Sequence, residues 1–342
     1  MRLATGRPAV SIVVPVYDEE GNVGPLHEEL TEVAIRVGLP YEIVFVNDGS
    51  RDGTLERLKD IVTGDPHVRV VDLDGNFGEA AALSAGFDSA RGPVVVTLDG
   101  DGQNDPHDIP KLLAKLEEGY DAVSGRRRAR EGSFVTRVLP SWVANRLIAV
   151  ATRVPVYDCG CGLKAYRRQL VAGVQLPRGM NRFLPAVLGV DARRVAEIQT
   201  RDRPRGSGRS HYGLSRVVVV FRDLFALPLL VRRPLPGRPT ARAFSAGAAV
   251  LAGLATVVAW TRMVVPAGAL ALGAGLAAAI GHNVARFADA QRHGVFRVRR
   301  ILHGSAAAEH RHRWGRVLGE ESAPDLRPAL RRAGHDPLRS RP

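Results

Sequence analysis

Five short apolar runs, separated by longer segments of helical spacing, constrain the part of the chain before Gly125. The runs are continuous rather than alternating, which is typical of parallel strands covered by helices on both faces. The predicted strands are Val10–Val16, Tyr41–Asn47, Val68–Leu73, Pro93–Asp99 and Tyr120–Ser124, and the predicted helices are Asn22–Val37, Asp52–Thr63, Gly78–Ala90 and Asp108–Glu118. This βα repeat predicts an open, mainly parallel α/β sheet.

Polar side chains follow four of these strands at the point where each strand ends. They include Glu19 after the first strand, Asp48 after the second, Asn76 after the third and the pair Asp99 and Asp101 after the fourth. Open α/β sheets bind ligands at the carboxyl ends of their strands. The sequence therefore predicts a binding site at this edge.

The stretch from Asp99 to Gln103 places three oxygen-bearing side chains at alternate positions: Asp99, Asp101 and Gln103. Such a set can hold Mg²⁺ or Mn²⁺, which complete their shell with substrate phosphate oxygens. An acidic turn is the alternative. The apolar strand before the stretch, and the polar clusters at neighbouring strand ends, favour the metal site.

The net charge of +13 indicates an anionic partner, which could be nucleic acid, a membrane surface or a phosphate-bearing substrate. Nucleic acid is not expected, because the arginines lie beside carboxylates and no aromatic stacking platform accompanies them. Cys159 and Cys161 lie one residue apart, which favours a reducing compartment without a structural metal.

Two segments near the C-terminus, Ala243–Thr261 and Val264–Ala285, are almost free of charge, and each is close to the ~20 residues that cross a bilayer. A pair of buried core helices is the alternative. Arginines on both flanks favour a transmembrane hairpin over residues 243–285 in the cytoplasmic membrane, with the preceding α/β domain and both termini cytoplasmic. These arginines are Arg232, Arg233, Arg238 and Arg242 before the pair, and Arg286, Arg292, Arg297, Arg299 and Arg300 after it.

Small residues in the hairpin predict close helix packing and a homo-oligomer. The basic tail over residues 304–342 has few apolar residues and is predicted to be disordered. At the other end, the apolar run before Pro15 is short and lacks a cleavage pattern, so it is interpreted as a first strand rather than a signal peptide.

Six stretches occur in order along residues 10–233: SIVVPVYDEEGN, EIVFVNDGSRDGT, NFGEAAALSAGF, VTLDGDGQNDPHDIP, CGLKAYRR and RFLPA. Together they resemble the family 2 glycosyltransferases of the GT-A fold and, within them, the polyprenyl-phosphate (dolichol-phosphate) sugar synthases. The resemblance implies a GT-A domain over residues 1–232, which includes an acceptor loop and a juxtamembrane helix. It also implies inverting, metal-dependent transfer of one sugar from a UDP- or GDP-linked donor to a polyprenyl phosphate.

The resemblance further implies roles for individual residues. The nucleotide-sugar site would contain Pro15, Tyr17, Glu19, Asp48, Asn76, Asp99 and Gln103, the metal would bind Asp99, Asp101 and Gln103, and the catalytic residues would be Asp101 and Asp158. The acceptor phosphate would meet Arg126, Arg137, Ser141, Arg203, Arg205, Arg209 and Ser210. The chain departs from the family pattern at His211, where lysine is common, and at Glu79.

Other interpretations remain open at this point. The acceptor could be a glycolipid, a polysaccharide or a protein, or the chain could be a non-catalytic nucleotide-sugar-binding scaffold. The aspartates of the Asp99 stretch together with Asp158 argue against a scaffold. An acceptor phosphate is already anionic, so Asp158 could orient it rather than remove a proton. Arg127 and Arg128 could be only a solvated charge run.

Overall fold

One eight-stranded sheet, in the order β7-β5-β6-β4-β1-β2-β3-β8, forms the centre of the protein. The computed structural model describes residues 7–127, 158–177, 179–203, 238–260 and 264–304. The strands are β1 Val10–Val16, β2 Tyr41–Asn47, β3 Val68–Leu73, β4 Val94–Thr97, β5 Ala122–Arg127, β6 Lys164–Arg167, β7 Val195–Thr200 and β8 Val298–His303.

Helices follow each of the first four strands, as the sequence predicts. The helices are α1 Val23–Val37, α2 Thr54–Gly64, α3 Glu79–Ser89, α4 Ile109–Glu117, α5 Arg168–Val171, α6 Leu184–Val187, α7 Arg238–Trp260 and α8 Val264–His293. Single 3₁₀ turns cover Pro106–Asp108, Met180–Phe183 and Ala192–Arg194. The predicted bounds of β1, β2 and β3 are confirmed, because continuous β-branched runs between turn residues define them locally.

The predicted parallel sheet is confirmed at its centre, where β1 pairs in parallel with β2 and β4, and β2 with β3. The sheet as a whole is more mixed than expected. Strand β6 runs antiparallel between β4 and β5, and β8 runs antiparallel along β3. Strand β8 carries arginines and has no continuous apolar run, so the apolar pattern does not reveal it.

Successive residues of the central strands point to opposite faces, and each face has its own core. Ile12 and Val14 belong to the cluster under α1, α2 and α4, whereas Val13 belongs to the cluster under α3. Val284, near the end of α8, is fully buried in that second cluster. The C-terminal helix therefore ends against the sheet domain.

The long helices α7 and α8, which cover the predicted hairpin, pack along each other. No helix in the described ranges is both long and apolar enough to cross a membrane. Alanine and glycine, which dominate these helices, contribute less hydropathy than leucine, and α8 continues into polar residues such as Asn283 and Arg286. A fully buried pair is not seen either, since Val250 is 62% exposed and Leu272 is 79% exposed.

Three of the arginines that follow the second predicted span lie at strand β8. Arg299 and Arg300 belong to β8, and Arg297 immediately precedes it. The Nε atom of Arg300 lies 2.9 Å from a carboxylate oxygen of Asp72 on β3. These charges therefore belong to the edge of the sheet. The predicted juxtamembrane helix and the predicted disordered tail lie outside the described residues, apart from Gly304.

Candidate active site

The loop after β4 carries the predicted metal ligands and is shaped by its own polar groups. The amide of Asp99 donates to the Asn104 side-chain oxygen at 3.0 Å, and the amide of Gln103 donates to Asp101 Oδ1 at 3.1 Å. A side chain on Gly100 would collide with the carbonyl oxygen of Pro15. The loop is therefore pressed against the end of β1, beside the predicted donor site.

The electrostatics of this loop fit a divalent cation. Burial, with the nearby carboxylates of Glu79 and Asp101, raises the pKa of Asp99 to about 8, although Lys164 and Arg127 oppose the shift. A cation would relieve this concentration of negative charge. Among the described residues, no group of three or more His, Cys, Asp or Glu gathers as a metal site. The carboxylates of Asp99 and Asp101 and the side-chain oxygen of Gln103 are nevertheless ligands that Mg²⁺ or Mn²⁺ accepts when substrate phosphates complete the shell.

Asp48, at the end of β2, holds the loop that contains Asn76. Its two carboxylate oxygens accept the amides of Phe77 and Gly78, each at 2.8 Å, and its own amide donates to the carbonyl of Val16 at 2.9 Å. Asn76 itself is exposed at this edge. The family resemblance implies that Asp48 contacts the donor nucleotide, and in the structure its carboxylate fixes the shape of the loop after β3.

The loop after β1 is tied to the loop after β2. The amide of Glu19 donates to Thr54 Oγ1 at 2.8 Å, and the amide of Asp18 donates to Ser50 Oγ at 3.0 Å. Asp18 has φ 54°, the single positive φ among the described residues other than glycine. Strained backbone of this kind concentrates at binding sites and is held by its surroundings. Tyr17, which is half-buried, lies on this turn at the carboxyl ends of the strands.

Asp158 is buried and paired with Arg127, the last residue of β5. Arg127 donates through Nε to Asp158 Oδ2 at 2.8 Å and through a terminal nitrogen to Oδ1 at 2.9 Å. Burial opposes the charge of Arg127, but this pairing raises the pKa of Arg127 above its ordinary value. The interpretation of Arg127 as a solvated charge is wrong, because its side chain turns inward while Arg126 stays exposed.

The acidic loop that begins at Asp158 lies against the loop from Asp99 to Gln103. We call the latter the metal loop, because it carries the predicted metal ligands. A side chain on Gly162 would occupy the position of the Asp99 carboxylate, and Thr97 Oγ1 donates to the carbonyl of Gly162 at 2.9 Å. Buried Lys164 donates to the carbonyl of Cys159 at 3.2 Å. The two motifs, far apart in sequence, therefore meet at the carboxyl end of β4.

The two cysteines of this loop are packing residues. Burial raises the pKa of Cys159 to about 12 and that of Cys161 to about 11. Both thiols are therefore neutral at neutral pH, and a neutral thiol is a poor nucleophile.

The predicted acceptor residues are only partly described. Arg203 donates to Glu29 Oε2 and to Asp105 Oδ1, each at 2.8 Å, and its amide donates to the carbonyl of Gln103 at 2.9 Å. These contacts anchor the chain after β7 to the metal loop and to α1. The other predicted residues of the phosphate pocket, Arg137, Ser141, Arg205, Arg209 and Ser210, lie outside the described residues, as does His211.

Two residues gain a place at the site that sequence reasoning did not assign. Glu79 accepts a hydrogen bond from Asn181 Nδ2 at 2.6 Å, and its charge contributes to the raised pKa of Asp99. Lys164 is buried beside Asp99 and partly offsets that charge. The sequence signal that could have indicated Lys164 is its position as a charged residue in the middle of the short run CGLKAYRR.

The mixed sheet brings an aspartate pair and the loop of Asp158 together at the carboxyl ends of its central strands. Residues 11–174 match the model of the family described as glycosyl transferase family 2. The chain belongs to this family. The resemblance noted from the sequence motifs is thereby confirmed.

Curated relatives align over about two thirds of their own length. A dodecaprenyl-phosphate galacturonate synthase from Rhizobium johnstonii is 40% identical over 65% of this chain and 67% of the relative. An undecaprenyl-phosphate 4-deoxy-4-formamido-L-arabinose transferase from Shewanella sediminis is 39% identical over 63% and 65%, respectively. One from Proteus mirabilis is 37% identical over 66% and 69%.

Among solved structures, glucosyl-3-phosphoglycerate synthase from Mycobacterium tuberculosis, in complex with Mn²⁺ and UDP-glucose, is similar in fold. The TM-score is 0.50 at 20% identity, over 66% of this chain and 79% of that one. At this identity the similarity supports the GT-A fold alone.

Proposed function

We propose that this enzyme transfers one sugar from a nucleotide-sugar to a polyprenyl phosphate, with inversion at the anomeric carbon and with the help of a divalent cation. The contact between Asp99 and Gly162 carries the proposal. It brings the loop that would hold the donor diphosphate against the loop of Asp158, which the family resemblance places near the acceptor. Donor and acceptor would then meet at one edge of the sheet.

The relatives support the acceptor more strongly than any particular sugar. The names of those from Rhizobium and Shewanella specify different sugars, galacturonate and a formamido-arabinose, but both specify a polyprenyl phosphate. The aligned part of this chain is a substantial share of each relative, at 37–40% identity. A shared lipid phosphate with a variable sugar is what we infer for this chain.

Asp99, Asp101 and Gln103 would hold the cation, Mg²⁺ or Mn²⁺. When bound, the cation neutralises the charge that builds on the departing nucleotide diphosphate. The raised pKa of Asp99 supports a cation here. The Mn²⁺ and UDP-glucose bound by the mycobacterial neighbour are consistent with a nucleotide-sugar donor, UDP- or GDP-linked, in this fold.

The acceptor phosphate would act as the nucleophile. One of its oxygens attacks the anomeric carbon, and the bond from that carbon to the diphosphate oxygen breaks, so the diphosphate leaves with the bonding electrons. The attacking phosphate is anionic at neutral pH, and no strong base is required. The two bonds from Arg127 occupy both oxygens of Asp158, which suits an orienting role.

A polyprenyl acceptor resides in a lipid bilayer, so the carboxyl ends of the central strands would lie at a membrane surface. The exposed guanidinium of Arg126, at the end of β5, is suited to a phosphate head group because its fork can donate two bonds. The cytoplasmic orientation and a homo-oligomer through α7 and α8 stay predictions from the sequence.

The test is transfer by the purified full-length protein with Mn²⁺ and a panel of radiolabelled UDP- and GDP-sugars. Polyprenyl phosphate, polyprenol and a polysaccharide are compared as acceptors, and label is followed into the lipid phase. We expect lipid labelling with polyprenyl phosphate and far less with polyprenol, which lacks the charge that arginines recognise. Equal labelling of polyprenol, or transfer only to the polysaccharide, would refute the proposed acceptor.

A further inference from the structure

Strand β8 lies beside β3 at one end of the sheet, although it lies beyond residues 11–174 of the family match. The loops after β1, β2 and β3 carry the proposed donor residues, and we call this part of the sheet the donor side. Strand β8 runs antiparallel along β3, with Arg300 opposite Asp72. Main-chain bonds continue past both ends of the strand: Asp74 donates to Arg297 at 3.0 Å, and Gly304 donates to Val68 at 3.2 Å. The chain therefore returns from α7 and α8 and is fastened along the whole of β3.

Strand β8 brings a positive charge to a buried carboxylate. Asp72 is 1% exposed, and its two oxygens have different partners. One accepts from Arg300 Nε at 2.9 Å and the other from Asn47 Nδ2 at 2.8 Å. A buried carboxylate requires such partners, because losing its hydration is costly. Arg300 thus helps to hold Asp72 in the position where it binds Asn47.

Asn47 connects this pair to the loops of the site. It is 1% exposed and immediately precedes Asp48. Its side-chain oxygen accepts the amide of Ser50 at 3.3 Å, and Ser50 Oγ accepts the amide of Asp18 at 3.0 Å. A continuous series of hydrogen bonds therefore runs from Arg300 to the two turns that carry the predicted donor residues.

We propose that Arg300, acting through Asp72 and Asn47, positions the nucleotide-binding loops, so that the C-terminal strand is a functional part of the donor site. The inference rests on the proposed function in one respect, that these loops bind a nucleotide. Arg300 is a positioning residue, since its contact is with Asp72 rather than with substrate.

The chain offers a matched control on the same strand. Arg299 donates through a terminal nitrogen to the main-chain oxygen of Asp74 at 3.3 Å. The variants Arg300→Gln and Arg299→Gln remove the same charge from adjacent positions, but only Arg300→Gln removes the guanidinium that meets Asp72. Asp72→Asn keeps the side-chain size and removes the charge from the other member of the pair.

The first measurement is calorimetric binding of UDP and of GDP to the full-length protein with Mn²⁺. For Arg300→Gln and Asp72→Asn we expect roughly tenfold weaker nucleotide binding, a size typical of losing a hydrogen bond to a charged group. Arg299→Gln should bind as the wild type does, and Arg300→Lys should recover part of the loss. The KM for polyprenyl phosphate should stay unchanged in all four variants.

The second measurement, hydrogen exchange without nucleotide, is independent of the proposed function. The amides of Ser50 and Asp18 should exchange faster in Arg300→Gln but not in Arg299→Gln. Unchanged exchange with unchanged nucleotide affinity would overturn the inference, and so would faster exchange throughout the sheet, which marks a merely structural arginine. If the wild type binds neither UDP nor GDP, the proposed function fails, and the exchange result alone decides whether Arg300 positions these loops.

Discussion

The loops after β1, β2 and β3 hold one another largely through main-chain amides, whereas those near β5 and β7 are held by paired charged side chains. At the first three loops, which the proposed function assigns to the donor side, Asp48 accepts two backbone amides, and Glu19 donates its own amide to a threonine hydroxyl. Near β5 and β7, which the proposed function assigns to the acceptor side, Arg127 is paired with Asp158, and Arg203 is paired with Glu29 and Asp105.

The difference predicts two kinds of sensitivity to substitution. A donor loop that loses a side-chain acceptor leaves a neutral amide unpaired, and its effect stays local. An acceptor-side pair that loses one member leaves an opposite charge without its partner, and the cost is larger when the pair is buried. The metal loop lies between the two sides, so its carboxylates should matter most for transfer.

The largest expected effect is on the metal loop. Asp101→Ala and Asp99→Ala should each lower transfer by at least about a hundredfold, because the charge on the leaving diphosphate is no longer neutralised. Transfer assays with and without EDTA measure this, and the thermal midpoint shows whether the variants remain folded. Asp74→Ala, at an exposed position after β3, is the control and should be near normal. Near-normal transfer by either metal-loop variant in EDTA would contradict the metal assignment.

The second effect concerns the buried pair of the acceptor side. Side-chain exposure is 15% for Arg127 and 12% for Asp158, so Arg127→Ala leaves a nearly buried carboxylate uncompensated. We expect the free energy of unfolding to fall by ~3–5 kcal/mol, the range for breaking a buried ion pair. Denaturant unfolding measures it.

Arg126→Ala is the matched control for this pair, since Arg126 is the exposed neighbour on the same strand. It should leave stability nearly unchanged and raise the KM for polyprenyl phosphate. Equal destabilisation by the two variants would show that Asp158 does not depend on Arg127.

A smaller effect distinguishes two roles for Arg203, which are anchoring the acceptor segment and binding the acceptor phosphate. Side-chain exposure is 35% for Arg203 and 36% for Glu29, so this pair should contribute no more than about 1 kcal/mol to stability. If Arg203 anchors the acceptor segment, Glu29→Gln and Arg203→Gln should raise the acceptor KM by similar factors of a few. A defect in Arg203→Gln with none in Glu29→Gln would instead support Arg203 as the phosphate ligand that the family resemblance implies.

The smallest effect on transfer is expected at Asp65. This residue precedes the amino end of β3, whereas the site lies at the carboxyl ends of the strands. Burial opposes ionisation, but hydrogen bonds from His27 and His67 hold the pKa of Asp65 well below its ordinary value. A depressed pKa contributes stability above the unfolded value of 3.8, and that stability is lost as the pH falls through the folded value.

Denaturant unfolding of the wild type and of Asp65→Asn checks this linkage. The difference in their free energies of unfolding should be greatest near neutral pH and should shrink as the pH falls below about 4. Transfer at neutral pH should be unchanged. A difference that does not vary with pH would mean that the ionised carboxylate of Asp65 is not what stabilises this turn.

The sequence alone predicted the bounds of β1 to β3 correctly, because the information there is local. Apolar runs bounded by turn residues define β1 to β3, and the spacing of Asp99 and Asp101 indicates a ligand site within a few residues of β4. Nearly uncharged Ala-Gly segments predicted two helices, which form, but composition did not reveal that α8 ends against the sheet through Val284.

The sequence by itself therefore determined the βα order, the family and the chemical character of the carboxylates at the strand ends. Only the tertiary structure decided the partners of the charged groups, since Arg127 meets Asp158 from 31 residues away, Arg203 meets Glu29 from 174 and Arg300 meets Asp72 from 228. A guanidinium has the same pattern in a sequence whether it is solvated or paired. Its partner is chosen when the chain folds and buries a carboxylate that must be compensated, a requirement that depends on three-dimensional proximity.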